Sequence, residues 1–157
     1  MTYAESFRKI HAALFPVTRA LCAECEHAPM IFAFEPGDKP VARVAASVPF
    51  KDESGKDLAA LMLTQLAREF GIAVMITEAW AATPTKWETE GGGFRQITPA
   101  SERPDRREVL LFVFQARYGL NAVAKHPIHA GPPRTVDDAE LCVQGERGFS
   151  MEGRFAA

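Results

Sequence analysis

The chain has 157 residues, of which 47% are hydrophobic and 24% charged, and its formal net charge is -2. This length and composition are typical of one hydrophobic core, which excludes two large domains and a disordered chain. Eighteen basic against twenty acidic residues leave no positive excess for a phosphate backbone, so we predict no nucleic-acid partner. The sequence therefore predicts a single domain over residues 1–157.

Membrane and secretory segments are not predicted. The longest stretch without a charged residue covers ten positions, 58–67, about half of what a helix needs to cross a bilayer. Glu5, Arg8 and Lys9 interrupt the apolar positions of the N-terminus, which argues against a signal peptide. We therefore predict no membrane partner and a cytoplasmic location.

The first predicted element is an amphipathic helix. Its apolar residues recur at spacings of three and four: Tyr3, Phe7, Ile10, Leu14, Val17 and Leu21. Pro16 lies inside this stripe and lacks an N–H group, so we expect a kink or a split into two helices near Phe15.

A hairpin and a second helix follow. Residues 30–34 and 41–48 are predicted strands joined by the turn at 36–38. Residues 58–70 have helical periodicity, with Ser54 or Asp57 as the N-cap and Gly71 at the C-terminal end. We predict a helix over 58–70.

The second half of the chain contains the central strands. Residues 72–81 and 108–117 are apolar at both odd and even positions, which is typical of strands inside a sheet. A turn at Tyr118-Gly119 leads into a third strand over 120–125. The predicted fold is α+β, in the order α-β-β-α-β-β-β, with a mixed, mainly antiparallel sheet and both helices packed on one face.

Two segments have no predicted helix or strand. Residues 82–106 form a loop that is longer than most loops of compact domains, and such loops are often functional. Residues 131–157 form an extended polar tail, and we expect Phe149, Met151 and Phe155 to anchor it.

Glu78 is the main candidate for a functional residue. Strand alternation places it on the same face as Val74 and Ile76, where a carboxylate requires a cation or a change of protonation. The loop end supplies arginines, so the functional interpretation is an anion-binding or acid–base site at the end of the sheet, composed of Glu78, Trp80, Arg103, Asp105, Arg106 and Glu108. The alternative, which we favour, is a structural salt-bridge network that fixes the loop.

These residues also carry a resemblance. Residues 76–80 read Ile-Thr-Glu-Ala-Trp, residues 101–110 read Ser-Glu-Arg-Pro-Asp-Arg-Arg-Glu-Val-Leu, and residues 153–155 read Gly-Arg-Phe. In this order the segments resemble a group of small uncharacterised bacterial and phage-associated proteins, over about half of the chain. The resemblance implies that loop and strand act together, and it implies no activity, cofactor or catalytic residue.

Cysteines and histidines form a weak metal motif. Cys22 and Cys25 lie at a helix end, and His126 and His129 lie in an extended segment. Two histidines three positions apart in a strand point to opposite faces, which argues against a shared zinc ion. We therefore predict reduced cysteines that pack as small apolar residues, and no metal or other cofactor.

The functional prediction is a non-enzymatic interaction or structural domain. We expect it to form homo-oligomers, with the long loop 82–106 making the contacts, and a different protein partner is the second possibility. The alternative function is a small-molecule (anion) binding protein or a hydrolase that uses Glu78 with Arg103 and Arg106. The two differ in whether Glu78 lines an open pocket or lies in a filled interior.

Overall fold

Two helices and a seven-stranded sheet form the computed structural model, which describes residues 1–25, 28–48, 52–81, 104–149 and 155. The helices are α1 (Tyr3–Glu24) and α2 (Glu53–Phe70). The strands are β1 (Met30–Glu35), β2 (Val41–Ser47), β3 (Ile72–Ala81), β4 (Arg107–Ala116), β5 (Asn121–His129), β6 (Thr135–Val136) and β7 (Cys142–Val143). The predicted α+β class and the order α-β-β-α-β-β-β are confirmed, and the tail adds the two short strands.

Helix α1 is continuous. It begins with a capping box, in which the Thr2 hydroxyl accepts from the Glu5 backbone N–H and the Glu5 carboxylate accepts from the Thr2 backbone N–H. Pro16 lies inside this helix, so of the kink or split predicted near Phe15, the split does not occur. Buried residues on both sides of Pro16, including Phe7, Ile10 and Cys22, pack on the same face of the sheet and keep the two halves aligned.

Helix α2 begins earlier than predicted. Its N-cap is Asp52, whose carboxylate accepts from the Gly55 backbone N–H at 2.8 Å, so the expected caps Ser54 and Asp57 are wrong. The C-cap is Gly71, as predicted, with φ 113°. A Cβ atom there would lie 2.6 Å from Pro36 Cδ, so both the backbone angle and the close approach require glycine.

The sheet has the strand order β2-β1-β3-β4-β5-β6, and β7, which lies off this path, pairs with β5. Every pairing between the described strands is antiparallel. Strands β3 and β4 are central, as predicted, and they pair along their whole length from Ile72 with Ala116 to Ala81 with Arg107. This pairing places the ends of β3 and β4 side by side.

The two helices cover opposite faces of the sheet. Phe7 and Ile10 of α1 pack with Val74 of β3, whereas Leu63 of α2 packs with Met75, its neighbour on the other face. The expectation that both helices share one face is therefore corrected. Strands that are apolar on both faces need cover on both, and one helix supplies each.

The C-terminal tail contributes to both faces. Val136 and Val143, in β6 and β7, are buried in the core beneath α1. Phe155 packs in the core beneath α2, and its carbonyl accepts from Gln115 Nε2 at 2.6 Å. The expected anchor Met151 and residues 82–103 of the expected loop lie outside the described residues.

In the described part of the chain, no helix has the length and apolarity needed to cross a bilayer.

Candidate functional site

Glu78 is buried near the end of β3. It is paired with Leu110 of β4, and only 5% of its side chain is exposed. The strand alternation places Glu78 on the α1 face of the sheet, with Val74 and Ile76, as predicted. A carboxylate at this position needs a cation, because the interior solvates its charge poorly.

Arg134, the residue immediately before β6, is a cation that contacts Glu78. Its Nη2 group donates to Glu78 Oε1 in a short ion pair and to Glu108 Oε1 at 2.9 Å. The hydrogen bond that Arg134 donates to Glu78 raises the pKa of Arg134 above its ordinary value. Arg134 therefore connects β3, β4 and the tail.

The same guanidinium also binds the end of α1. Its Nη1 group donates to the carbonyl oxygens of Cys22 at 2.9 Å and Cys25 at 3.4 Å. The last carbonyls of a helix have no partner within the helix, so a cationic donor at this place stabilises it. The preceding turn depends on Gly131, because a Cβ atom there would lie 2.0 Å from the Pro133 carbonyl oxygen.

Of the loop arginines expected beside Glu78, Arg106 contacts a different residue. The guanidinium of Arg106 lies over the ring of Trp80, 4.9 Å from its centroid, on the exposed end of the β3–β4 pair. Asp105 is exposed in the turn before β4, and Arg103 lies outside the described residues. Glu78 lies two positions before Trp80 in β3, closer to the core and under the end of α1. Arg134 packs beside α1 and therefore reaches Glu78.

Cys22 completes this cluster. The thiol is fully buried, and Arg134 Nη1 lies 3.8 Å from its sulfur. Burial, and then the charge of Glu78, raise the pKa of Cys22 to about 11. The thiol therefore stays protonated at neutral pH and packs as a small apolar side chain, while Cys25 and Cys142 are exposed free cysteines.

The histidines predicted as weak metal ligands lie on opposite sides of β5. His129 is exposed, and its Nε2 is 2.7 Å from the Asp137 carboxylate. His126 is fully buried, with its Nε2 2.9 Å from Nε2 of His11. Within the described ranges no group of three or more His, Cys, Asp or Glu side chains has the arrangement of a metal site.

Sequence reasoning missed Arg134 and His11. Arg134 lies in the tail, 56 positions from Glu78, and only the tertiary fold brings the two together. His11 carries a signal that was available, because it follows Phe7 by one helical turn and borders the buried stripe of α1.

The arrangement at Glu78 is an ion-pair cluster. One guanidinium contacts two carboxylates, two helix carbonyls and a thiol. Such a cluster fixes elements relative to one another, and the cation that an anionic ligand would need is already bound to protein groups.

No protein-family model, curated protein or solved structure matches this chain.

Proposed function

We propose that the chain is a non-enzymatic interaction domain that pairs with a second copy of itself through the free edge of β2. The observation that carries this proposal is the character of that edge. Strand β2 pairs with β1, and among the described strands none lies on its other side. Five of its seven residues are exposed.

The edge has little protection against pairing. Natural edge strands usually carry lysines, prolines or inward-pointing charges that prevent association. The one charged residue of β2 is Arg43, whose guanidinium is 3.0 Å from the Glu35 carboxylate of the neighbouring strand. The remaining residues are small or apolar, so a partner strand meets unpaired backbone groups without a net charge.

The sequence of β2 is compatible with its own antiparallel copy. When a two-fold axis perpendicular to the sheet relates the two strands, residues directly opposite each other must point to the same face. With the axis at Val44, Ala42 lies opposite Ala46 and Arg43 lies opposite Ala45. This register pairs the whole strand Val41–Ser47. An axis at Arg43 places two arginines directly opposite each other, which is unfavourable.

The ion-pair cluster supports a structural rather than a catalytic interpretation. The Glu78 side chain is buried and bonded to Arg134, which supports the structural alternative. The expected contribution of residues 82–106 to the contacts stays a prediction, because residues 82–103 lie outside the described part of the chain.

Sedimentation velocity of the full chain tests the proposal with two variants of one exposed residue. Ala45→Lys places a lysine opposite Arg43 of the partner strand on both sides of the two-fold axis. The like charges repel each other, so the dimer dissociates. Ala45→Glu places a carboxylate there, so the dimer persists or tightens. Val17→Lys, at an exposed position of α1, is the matched control and stays dimeric.

Two results would overturn the proposal at different levels. A wild-type chain that sediments as a monomer throughout the micromolar range removes the self-association. A wild-type dimer in which Ala45→Lys and Ala45→Glu behave alike places the interface away from β2. Circular dichroism of each variant confirms that the fold is intact.

A further inference from the structure

A pair of histidines joins α1 to the sheet. His11 of α1 and His126 of β5 have their Nε2 atoms 2.9 Å apart, and His126 is fully buried. The ring of Phe15 stacks on His126 with centroids 3.9 Å apart, and Phe112 contacts both imidazoles edge-on. The pair is thus a hydrogen bond inside an aromatic cluster.

The neighbouring carbonyl group fixes the tautomers of both rings. Nδ1 of His126 is 2.9 Å from the Asp137 carbonyl oxygen, which only accepts, so Nδ1 of His126 carries a proton. In neutral His126 the Nε2 atom is then an acceptor, and His11 donates to it from Nε2. The unprotonated nitrogen of His11 is therefore Nδ1.

We propose that the His11–His126 pair is an acid-sensitive latch, which holds α1 on the sheet while the imidazoles share one bridging proton and releases the helix when both are protonated. One added proton on His11 Nδ1 leaves the bridge intact. A second places two N–H groups against each other across 2.9 Å, together with two positive charges in an aromatic shell.

Among the described residues, two charged side chains act on the pair from neighbouring segments. From the segment after β6, Asp138 favours protonation of His126, and from α1, Arg19 opposes it. These two residues are bonded to each other at 3.1 Å, which reduces the effect of either on the pair. Phe112, the β4 residue beside the imidazoles, is apolar, and the carboxylate of Asp137 is bonded to the exposed His129.

The direction of the pH effect follows from burial. Burial, and then the neighbouring His126, lower the pKa of His11 from 6.5 to about 4, and burial also lowers the pKa of His126. Between pH 6.5 and about 4, His11 is mostly protonated in the unfolded chain and mostly neutral in the folded chain. Stability is therefore lost as the pH falls from about 6.5 towards 4. For His11 alone, the unfolding equilibrium constant rises about twentyfold between pH about 7 and pH about 5.

Nitrogen-15 NMR of the full chain tests the geometry without any substitution. At neutral pH we expect His126 to carry its proton on Nδ1 and His11 to carry its proton on Nε2. The opposite tautomer on either ring contradicts the latch.

Amide hydrogen exchange, corrected for the intrinsic rate, then compares the two helices as the pH is lowered. Protection of α1 falls by at least about tenfold more than that of α2, and an equal loss in both helices contradicts local release.

A substitution separates the proton from the hydrogen bond. His11→Gln keeps an N–H donor for His126 and removes one titrating group, so the acid-dependent change in the unfolding constant shrinks by about twentyfold. Equal pH dependence of wild type and His11→Gln would overturn the proposal. The NMR measurement decides the question if His11→Gln does not fold.

Discussion

Two polar clusters attach α1 to the rest of the molecule, and they differ in charge. At the C-terminal end of the helix, Arg134 joins the carbonyl groups of α1 to the carboxylates of Glu78 and Glu108. In the first half of the helix, His11 meets His126 as a pair of neutral rings. The charged cluster depends on both signs being present, whereas the histidine pair depends on the absence of charge. The first is therefore sensitive to substitution and the second to acid.

The largest effect is expected from removing the cation. Arg134→Met keeps much of the side-chain volume but takes this cation away from the buried Glu78 carboxylate, so the variant loses about 3 to 5 kcal/mol of unfolding free energy. Chemical denaturation measures the change. Arg147→Met is the matched control, because Arg147 forms an exposed pair with Glu140, and we expect at most about 0.5 kcal/mol there. Equal effects at the two positions would show that Arg134 is an ordinary surface residue.

A smaller effect is expected from neutralising the buried acid. Glu78→Gln keeps the shape of the side chain and costs about 1 to 3 kcal/mol, because the charge-assisted bond to Arg134 is lost. Glu108→Gln is the control on the same guanidinium. The Glu108 side chain is 35% exposed, so water replaces part of its contact and the cost is lower, at about 0 to 1 kcal/mol. A thermal melt that Glu78→Gln leaves unchanged would contradict the role of the cluster.

The elements that local patterns determine were predicted from the sequence. The spacing of Phe7, Ile10 and Leu14 predicts α1, and the apolar residues on both faces of β3 predict its central place. The start of α2 was missed because Asp52 lies before the apolar repeat and is recognised as a cap only by its bond to Gly55.

The tertiary placement was predicted less well. The helices were predicted on one face of the sheet, but they cover opposite faces. The observation that β3 is apolar on both faces already required cover on both, so the correct placement could have been predicted. The burial of Glu78 was predicted from alternation. The contact with Arg134 was not predicted, because proximity along the chain favoured Arg103 and Arg106, while contact with Arg134 depends on where the tail crosses the end of α1.

The most direct test of the structural role of Glu78 is a double-mutant cycle with Arg134. Unfolding free energies are measured for wild type, Glu78→Gln, Arg134→Met and the double variant. Removal of the cation leaves a buried charge that Glu78→Gln then neutralises, so the double variant is more stable than the sum of the single effects predicts. We expect a coupling of about 1 to 3 kcal/mol. Additivity within about 0.5 kcal/mol would contradict the account, because it would show that Glu78 and Arg134 do not act as a pair.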